Sequence, residues 1–262
     1  MTEREKVRII VTLYREELPG MELEALQNNL KMLSNYPFTI VYPENIDISK
    51  ITDKLERKVE LWPVSEEWLG QKNGIAGYNR MMLSEKFYEH FSDAKYILIC
   101  HTDSWIFRDE LLKWCDMGYD CVAAPWIKRK IYTLFPISTY LKIRNALSRK
   151  RTRAYLYGKV GNGGLSLRKV DKFLEILKTQ RNTVEEYLSH KGEHLYNEDV
   201  FWASWEQVLK YPDEMKAIGF SIDTHPAYCH QLLGGLPFGC HKFSSRRMWK
   251  FWKKYIPVSD KD

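Results

Sequence analysis

A single α/β domain with a mostly parallel sheet is the fold class that this sequence predicts. Three features point to it. Short apolar runs alternate with stretches of helical apolar spacing along the chain. One run, Tyr96-Ile-Leu-Ile-Cys100, is apolar throughout, as a central strand buried on both faces should be. Near the N-terminus, strand, helix and strand fit within about 35 residues, the span of a βαβ unit.

Taken in order, Val7-Arg-Ile-Ile-Val-Thr-Leu13 is a β-branched run and reads as a buried strand. A turn at Leu18-Pro-Gly20 leads into a helix over 21–33, with apolar residues at 23, 26, 30 and 33. The next strand, 38–42, stops at Pro43. A mixed segment precedes a helix over 79–91, and the apolar strand 96–100 follows. The acidic pair Asp109-Glu110 opens a short helix to 117, where it complements the positive end of the helix dipole. A strand over 120–124 is closed by Pro125-Trp126. Residues 128–159 form a basic excursion, partly helical around 138–150. A short strand at 164–167 and a helix over 169–177 return to the α/β pattern, and 184–188, 200–208 and 213–218 are further helical pieces. From Gly234 onward the chain is rich in glycine, proline, aromatic and basic residues. The C-terminal half is therefore an elaboration of one domain.

Hydrophobic residues make up 44% and charged residues 28% of the 262, which excludes wholesale disorder. The net charge of +6 is unevenly distributed. Ten basic residues and no acid lie between Lys128 and Lys159, and six more with no acid lie between Lys242 and Lys254. The remainder carries 24 basic against 34 acidic residues. The body is acidic, with two basic patches. No apolar run is long enough for a spanning helix, and the N-terminal run is too short for a secretory leader. The five cysteines are odd in number and lack Cys-x-x-Cys spacing, so they read as reduced core thiols of a cytosolic protein.

Four motifs could carry chemistry. The strand 96–100 delivers His101, Thr102 and Asp103 at its C-terminal end, the edge where open α/β sheets bind ligands. A carboxylate there can hold a divalent cation whose oxygen shell is completed by substrate phosphates; alternatively Asp103 caps the following turn. Gly161-Asn-Gly-Gly164 allows close backbone approach by a ligand, or forms a tight turn before the strand. It lacks the Gly-Lys-Ser/Thr ending of a P-loop. Asn197-Glu-Asp-Val-Phe-Trp202 sets two carboxylates at a helix start, either as a cap with dipole complementation or as a general base beside substrate hydroxyls. Leu236-Pro-Phe-Gly-Cys-His241 places a histidine after a glycine turn, suited to a metal or a phosphate. Cys229-His230 with Cys240-His241 matches no common zinc spacing.

In this order the four motifs resemble a bacterial glycosyltransferase-like family catalogued as a domain of unknown function and related to GT-A-fold nucleotide-sugar transferases. The resemblance runs from about Val7 to about Phe243 and implies one GT-A-like domain over 1–262. Within it, 7–127 would be the nucleotide-binding half, 128–159 the basic excursion, 160–243 the acceptor-side half and 244–262 a basic tail. Asp103 corresponds to the last acid of the Asp-x-Asp signature and would hold Mn²⁺ or Mg²⁺, with His241 as a late metal ligand. His101 stands where that signature has its first acid, as a nucleotide or outer contact. Thr12, Tyr14, Arg15, Tyr78, Asn79 and Arg80 would contact the nucleotide, Tyr14 by stacking on the base. Asn162, Gly163 and Gly164 would line the sugar side, and Trp105 and Trp202 offer faces for sugar stacking. Asp199, with Glu198 as the alternative, would be the base of an inverting transfer. The donor implied is a nucleotide sugar, with a UDP-sugar as first choice. The acceptor is a saccharide or lipid-linked saccharide of surface-polysaccharide assembly.

Two other classes compete. A catalytically silent, carbohydrate-binding or scaffolding protein would suit the residue change at 101 and the nine tryptophans. A nucleic-acid partner would suit the basic run, but the acidic remainder and the lack of a recognised motif exclude it from the reading. The two basic segments instead suggest a cytoplasmic protein in peripheral contact with an anionic membrane at its inner face.

Overall fold

Apolar alternation along the first strands sorts their side chains onto two covered faces. In the computed structural model, which describes residues 6–128, 130–147 and 152–258, β1 (Val7–Thr12) sends Val7, Ile9 and Val11 into one core and Ile10 into the other. The strand β4 (Tyr96–Cys100) divides the same way, with Leu98 on the first face and Ile97 and Ile99 on the second. Burial on both faces explains why these runs lack polar alternation.

The remaining strands of the main sheet are β2 (Phe38–Pro43), β3 (Glu60–Val64), β6 (Cys121–Pro125) and β7 (Val160–Lys169). Three short ones, β5 (Ser104–Ile106), β8 (Ser221–Ile222) and β9 (Gly239–His241), form a second sheet in the order β5-β9-β8. The main sheet runs β3-β2-β1-β4-β7-β6. β1 pairs in parallel with β2 on one side and β4 on the other, and β2 pairs in parallel with β3. Only β7 runs against its neighbours, antiparallel to both β4 and β6. This is the single mixed α/β domain with a mostly parallel sheet that the sequence predicts. The order reverses between β1 and β4, and a crevice for ligands opens at such a point.

Several elements differ from the sequence-based expectation, each for a physical reason. The mixed segment contains β3, whose outer residues are exposed and which carries Pro63, a residue that an edge strand tolerates. The helix expected over 79–91 is two, Gly74–Met82 and Glu85–His90, separated by Ser84 in an extended conformation. The first begins earlier because Gly77 lets it approach the carbonyls of Glu67 and Trp68, where a Cβ would lie 2.9 Å from both oxygens. The short strand at 164–167 is the middle of the ten-residue β7, so the glycines at 161, 163 and 164 are strand residues and not a turn. In the basic excursion the helix spans Ile137–Leu147; Arg129 and 149–151 of that patch lie outside the described residues. Beyond 243, Arg246–Trp252 is helical and buries Met248 and Trp252 in a third core with Trp105 and Phe243. All five cysteines are buried free thiols.

Candidate active site

The reversed strand β7 brings two distant stretches of sequence to one edge. Because Cys100 faces Leu165, the start of β7 lies beside the end of β4, and the His101 amide donates to the Gly164 carbonyl at 2.9 Å. The pairing of β7 with β6 slips between Ala123 and Pro125, an irregularity that falls around Gly163 and Gly164. Such bulges re-aim side chains next to functional sites. β5 follows directly from Asp103 and pairs with β9, setting Ser104 opposite His241. Three separate motifs thereby meet at the C-terminal edge of β4.

A Cβ at Gly164 would collide with the His241 imidazole ring, and one at Gly163 with Oε1 of Glu198. The glycines are required because side chains, not a turn, occupy their Cβ positions. The ring of His241 is thereby held against the strand. Its Nε2 lies 3.2 Å from Asp103 Oδ1 and its Nδ1 2.6 Å from Asp223 Oδ1. His101 completes the group: its ring centroid is 5.3 Å from that of His241, and its Nε2 meets the Tyr78 hydroxyl at 2.9 Å. One ligand atom from each of His101, Asp103 and His241 lies within 4.8 Å of the others.

Electrostatics fits this arrangement. Burial and the neighbouring His241 cation push His101 down to about 3, which leaves it a neutral imidazole. Burial alone would raise Asp103, but His241 outweighs it and holds the carboxyl well below the ordinary carboxylate range. Burial also opposes the His241 charge, yet Asp103 and Asp223 lift that group to about 9. A positive charge between two carboxylates is therefore built into the site. The three side chains offer two imidazole nitrogens and a carboxylate oxygen, a donor set that fits a divalent cation when the cation takes the place of the proton on His241 Nε2.

On the opposite wall, Glu198 and Asp199 begin the helix Glu198–Ala203. The cap is not the one the sequence suggests. Asn197 makes no side-chain cap bond; Asn79 instead accepts from the Glu198 amide at 3.1 Å and donates to Asn197 Oδ1. Glu198 is buried against Arg168, whose Nη2 lies 3.1 Å from Oε2, while Arg168 Nη1 donates to the Tyr88 hydroxyl at 3.0 Å. Burial pushes Glu198 up, to about 7, against the pull of Arg168. Asp199 keeps partial exposure at the wall and accepts from the Val200 amide; burial raises it to about 6.

These groups line one cleft of about 670 Å³. Thr12 and Tyr14 enter it from the end of β1, Tyr78 and Asn79 from the helix Gly74–Met82, and His101 and Asp103 from the end of β4. Asn162, Gly163 and Gly164 come from β7, Glu198 and Asp199 from the opposite wall, and His241 from β9. Four sequence-predicted residues do not line it. Arg15 is turned onto Tyr14, donating to its hydroxyl at 2.7 Å. Arg80 faces Glu67 at 3.6 Å. Trp105 packs on Phe243 in the third core, and Trp202 lies 1% exposed against Phe173 with ring centroids 4.0 Å apart. Both tryptophans are buried in the core and offer no face to the cleft.

Other lining and supporting residues were not legible as motifs. Asp223 is buried and joins His241 to Asn162, whose Nδ2 donates to Oδ2 at 2.5 Å. Lys242 lines the cleft in the left-handed region, φ +58°, with Nζ 3.4 Å from Asp223. A non-glycine residue there is uncommon and often marks a functional site. Glu22 accepts from the Thr102 hydroxyl at 2.6 Å on the nucleotide side of the expectation. Of Asp223 and Lys242, only Lys242 has a signal in the sequence, since it follows a predicted metal ligand, whereas nothing around Asp223 marks it.

The family described as "Protein of unknown function (DUF5672)" matches residues 58–241. No curated protein matches the sequence. Solved structures do share the architecture. The galactosyltransferase LgtC, in complex with donor and acceptor sugar analogs, aligns with a TM-score of 0.55 at 12% identity, covering 97% of this chain and 98% of that chain. Mouse xyloside xylosyltransferase 1 in its apo form aligns with a TM-score of 0.54 at 11% identity, covering 89% and 96%. The apo-form glycosyltransferase GlyE of Streptococcus pneumoniae TIGR4 gives 0.52 at 12% identity, over 96% of this chain and 60% of that one. The fold is that of the GT-A glycosyltransferases.

Proposed function

The chain belongs to the DUF5672 family, and on that premise, with its GT-A fold, we propose that it is a metal-assisted glycosyltransferase. The donor is a nucleotide-diphosphate sugar, with UDP as the preferred nucleotide, and the acceptor a saccharide or lipid-linked saccharide of the kind used in surface-polysaccharide assembly. The observation that carries this reading is the convergence of His101, Asp103 and His241 with a half-buried Asp199 in one cleft.

Asp103, His101 and His241 would hold the cation, Mn²⁺ before Mg²⁺. When bound, it neutralises charge that develops on the departing diphosphate. Lys242 adds a second positive charge beside the same group. Thr12 and Tyr14 receive the nucleotide at the end of β1, where Tyr14 is 42% exposed and the Arg15 guanidinium, lying over its ring, would move aside for a base to stack there. Asn162, held by Asp223, and the bare backbone at Gly163 and Gly164 line the sugar side. Asp199 takes the proton of the acceptor hydroxyl, a role that Glu198 cannot share while Arg168 holds its carboxylate. A single displacement then inverts the anomeric carbon. His101 in place of an acid supports this reading over a silent scaffold, because it contributes a donor atom to the same cluster.

Incubation of the protein with UDP-sugars and Mn²⁺ tests the proposal, with free UDP measured and any glycoside product examined by NMR. Mn²⁺-dependent UDP release and an inverted product are expected. Retention of configuration removes Asp199 as the base; no turnover of any nucleotide sugar overturns the enzyme reading.

A further inference from the structure

Six of the fifteen large apolar side chains exposed among the described residues lie between 131 and 147: Ile131, Leu134, Phe135, Tyr140, Ile143 and Leu147. Phe135 is 84% and Leu147 78% exposed. Scattered apolar residues on a surface are ordinary, but a contiguous cluster marks an interaction face. Tyr140, Ile143 and Leu147 recur at spacings of three and four on the helix Ile137–Leu147, so they share one side of it. The other apolar residues sit on the turn that precedes the helix and packs on it.

Charge identifies the partner. Lys128, Lys142, Arg144 and Arg153 are all exposed around this face, and the sequence from 128 to 159 contains no acid. An apolar stripe on a segment whose own charged residues are all cations matches an anionic bilayer surface, where apolar side chains enter the headgroup boundary and cations meet lipid phosphates. No described helix is long and apolar enough to cross a membrane, so the contact is one of lying on the surface.

We propose that residues 131–147 dock this protein on anionic lipid. Further along the same basic stretch, Arg153 Nη2 lies 3.3 Å from Nε2 of His194, a residue that lines the cleft. Docking at a bilayer would favour an amphiphilic acceptor, a glycan carried on lipid. The choice of acceptor rests on the glycosyltransferase reading; the docking itself does not.

The test uses the whole protein with vesicles of phosphatidylcholine, with or without phosphatidylglycerol, and no sugar or metal. Co-sedimentation with the anionic vesicles alone is expected at low salt. The combined variant Phe135→Ser, Tyr140→Ser, Ile143→Ser should bind them at least about tenfold more weakly, because charge without apolar insertion gives only a screened attraction. Hydrogen exchange of the wild-type protein supplies a readout independent of any variant, and slowing at 131–147 on addition of anionic vesicles is expected. Wild-type protein that ignores anionic vesicles, a variant that binds them equally, slowing confined to other segments, or retention by RNA or an acidic peptide in place of vesicles would each overturn the proposal. With no donor or cation present, failure here is separate from failure of the transferase reading.

Discussion

Asp223 and Asp199 show how single carboxylates in the cleft divide the work. Asp223 accepts from His241 Nδ1 and from Asn162, so it fixes the ring with Nε2 turned toward Asp103. Partners of this kind change metal affinity by about 10- to 100-fold when removed. Asp223→Asn should weaken Mn²⁺ binding by that factor in a calorimetric titration, with little change in nucleotide affinity measured without metal. Asp199 has the opposite duty. Its carboxyl is raised to about 6, from an ordinary value of 3.8, so the folded state binds its proton more tightly than the unfolded chain does. Its contribution to stability therefore falls as pH rises between these values. Above pH 6 the ionised group is a competent base at some cost in stability. Turnover should fall as pH drops through about 6, and Asp199→Asn should lower kcat by about 100-fold or more. The same variant should gain on the order of 1 kcal/mol in urea unfolding at pH 7, after allowance for water at the cleft wall.

At the scale of elements, β7 does the most to assemble the site. It reverses direction, supplies three glycines as contact surface, and carries Arg168 into the core beneath the helix Glu198–Ala203. Removing one member of a buried ion pair strands the other charge, at about 3–5 kcal/mol. Arg168→Met should destabilise the protein by that amount in denaturant unfolding, and adding Glu198→Gln should recover part of the loss. These elements were unequally legible in the sequence. β1, β2 and β4 are apolar because both faces are covered, and that pattern is visible without a structure. β3 is an edge strand with exposed residues and a proline, and β8 and β9 are only two and three residues long, so no periodicity announces them. The glycine run shows that backbone proximity matters but not what approaches: His241 and Glu198 do so from far along the chain. Trp105 and Trp202 illustrate the converse. An aromatic residue beside a motif suits a sugar and a core equally well, and only packing places both in the core.

For the molecule as a whole, the order of the main sheet and the small second sheet together explain why four scattered motifs act as one site. Three of them end at the same edge, at the reversal between β1 and β4 or on the strands β7 and β9 that close over it, and the fourth opens the helix Glu198–Ala203 on the opposite wall. The charge distribution is divided as well: the basic excursion meets the cleft lining where Arg153 lies 3.3 Å from His194. The central claim is that the cleft binds a nucleoside diphosphate through a cation held by His101, Asp103 and His241. Calorimetric titration of UDP into the metal-free protein, with and without Mn²⁺, tests it most directly, with Asp103→Asn as the comparison. Binding that is at least about tenfold tighter with Mn²⁺ in the native chain, an enhancement lost in Asp103→Asn, is the result predicted. UDP affinity unchanged by Mn²⁺, or equally enhanced in the variant, would contradict the account.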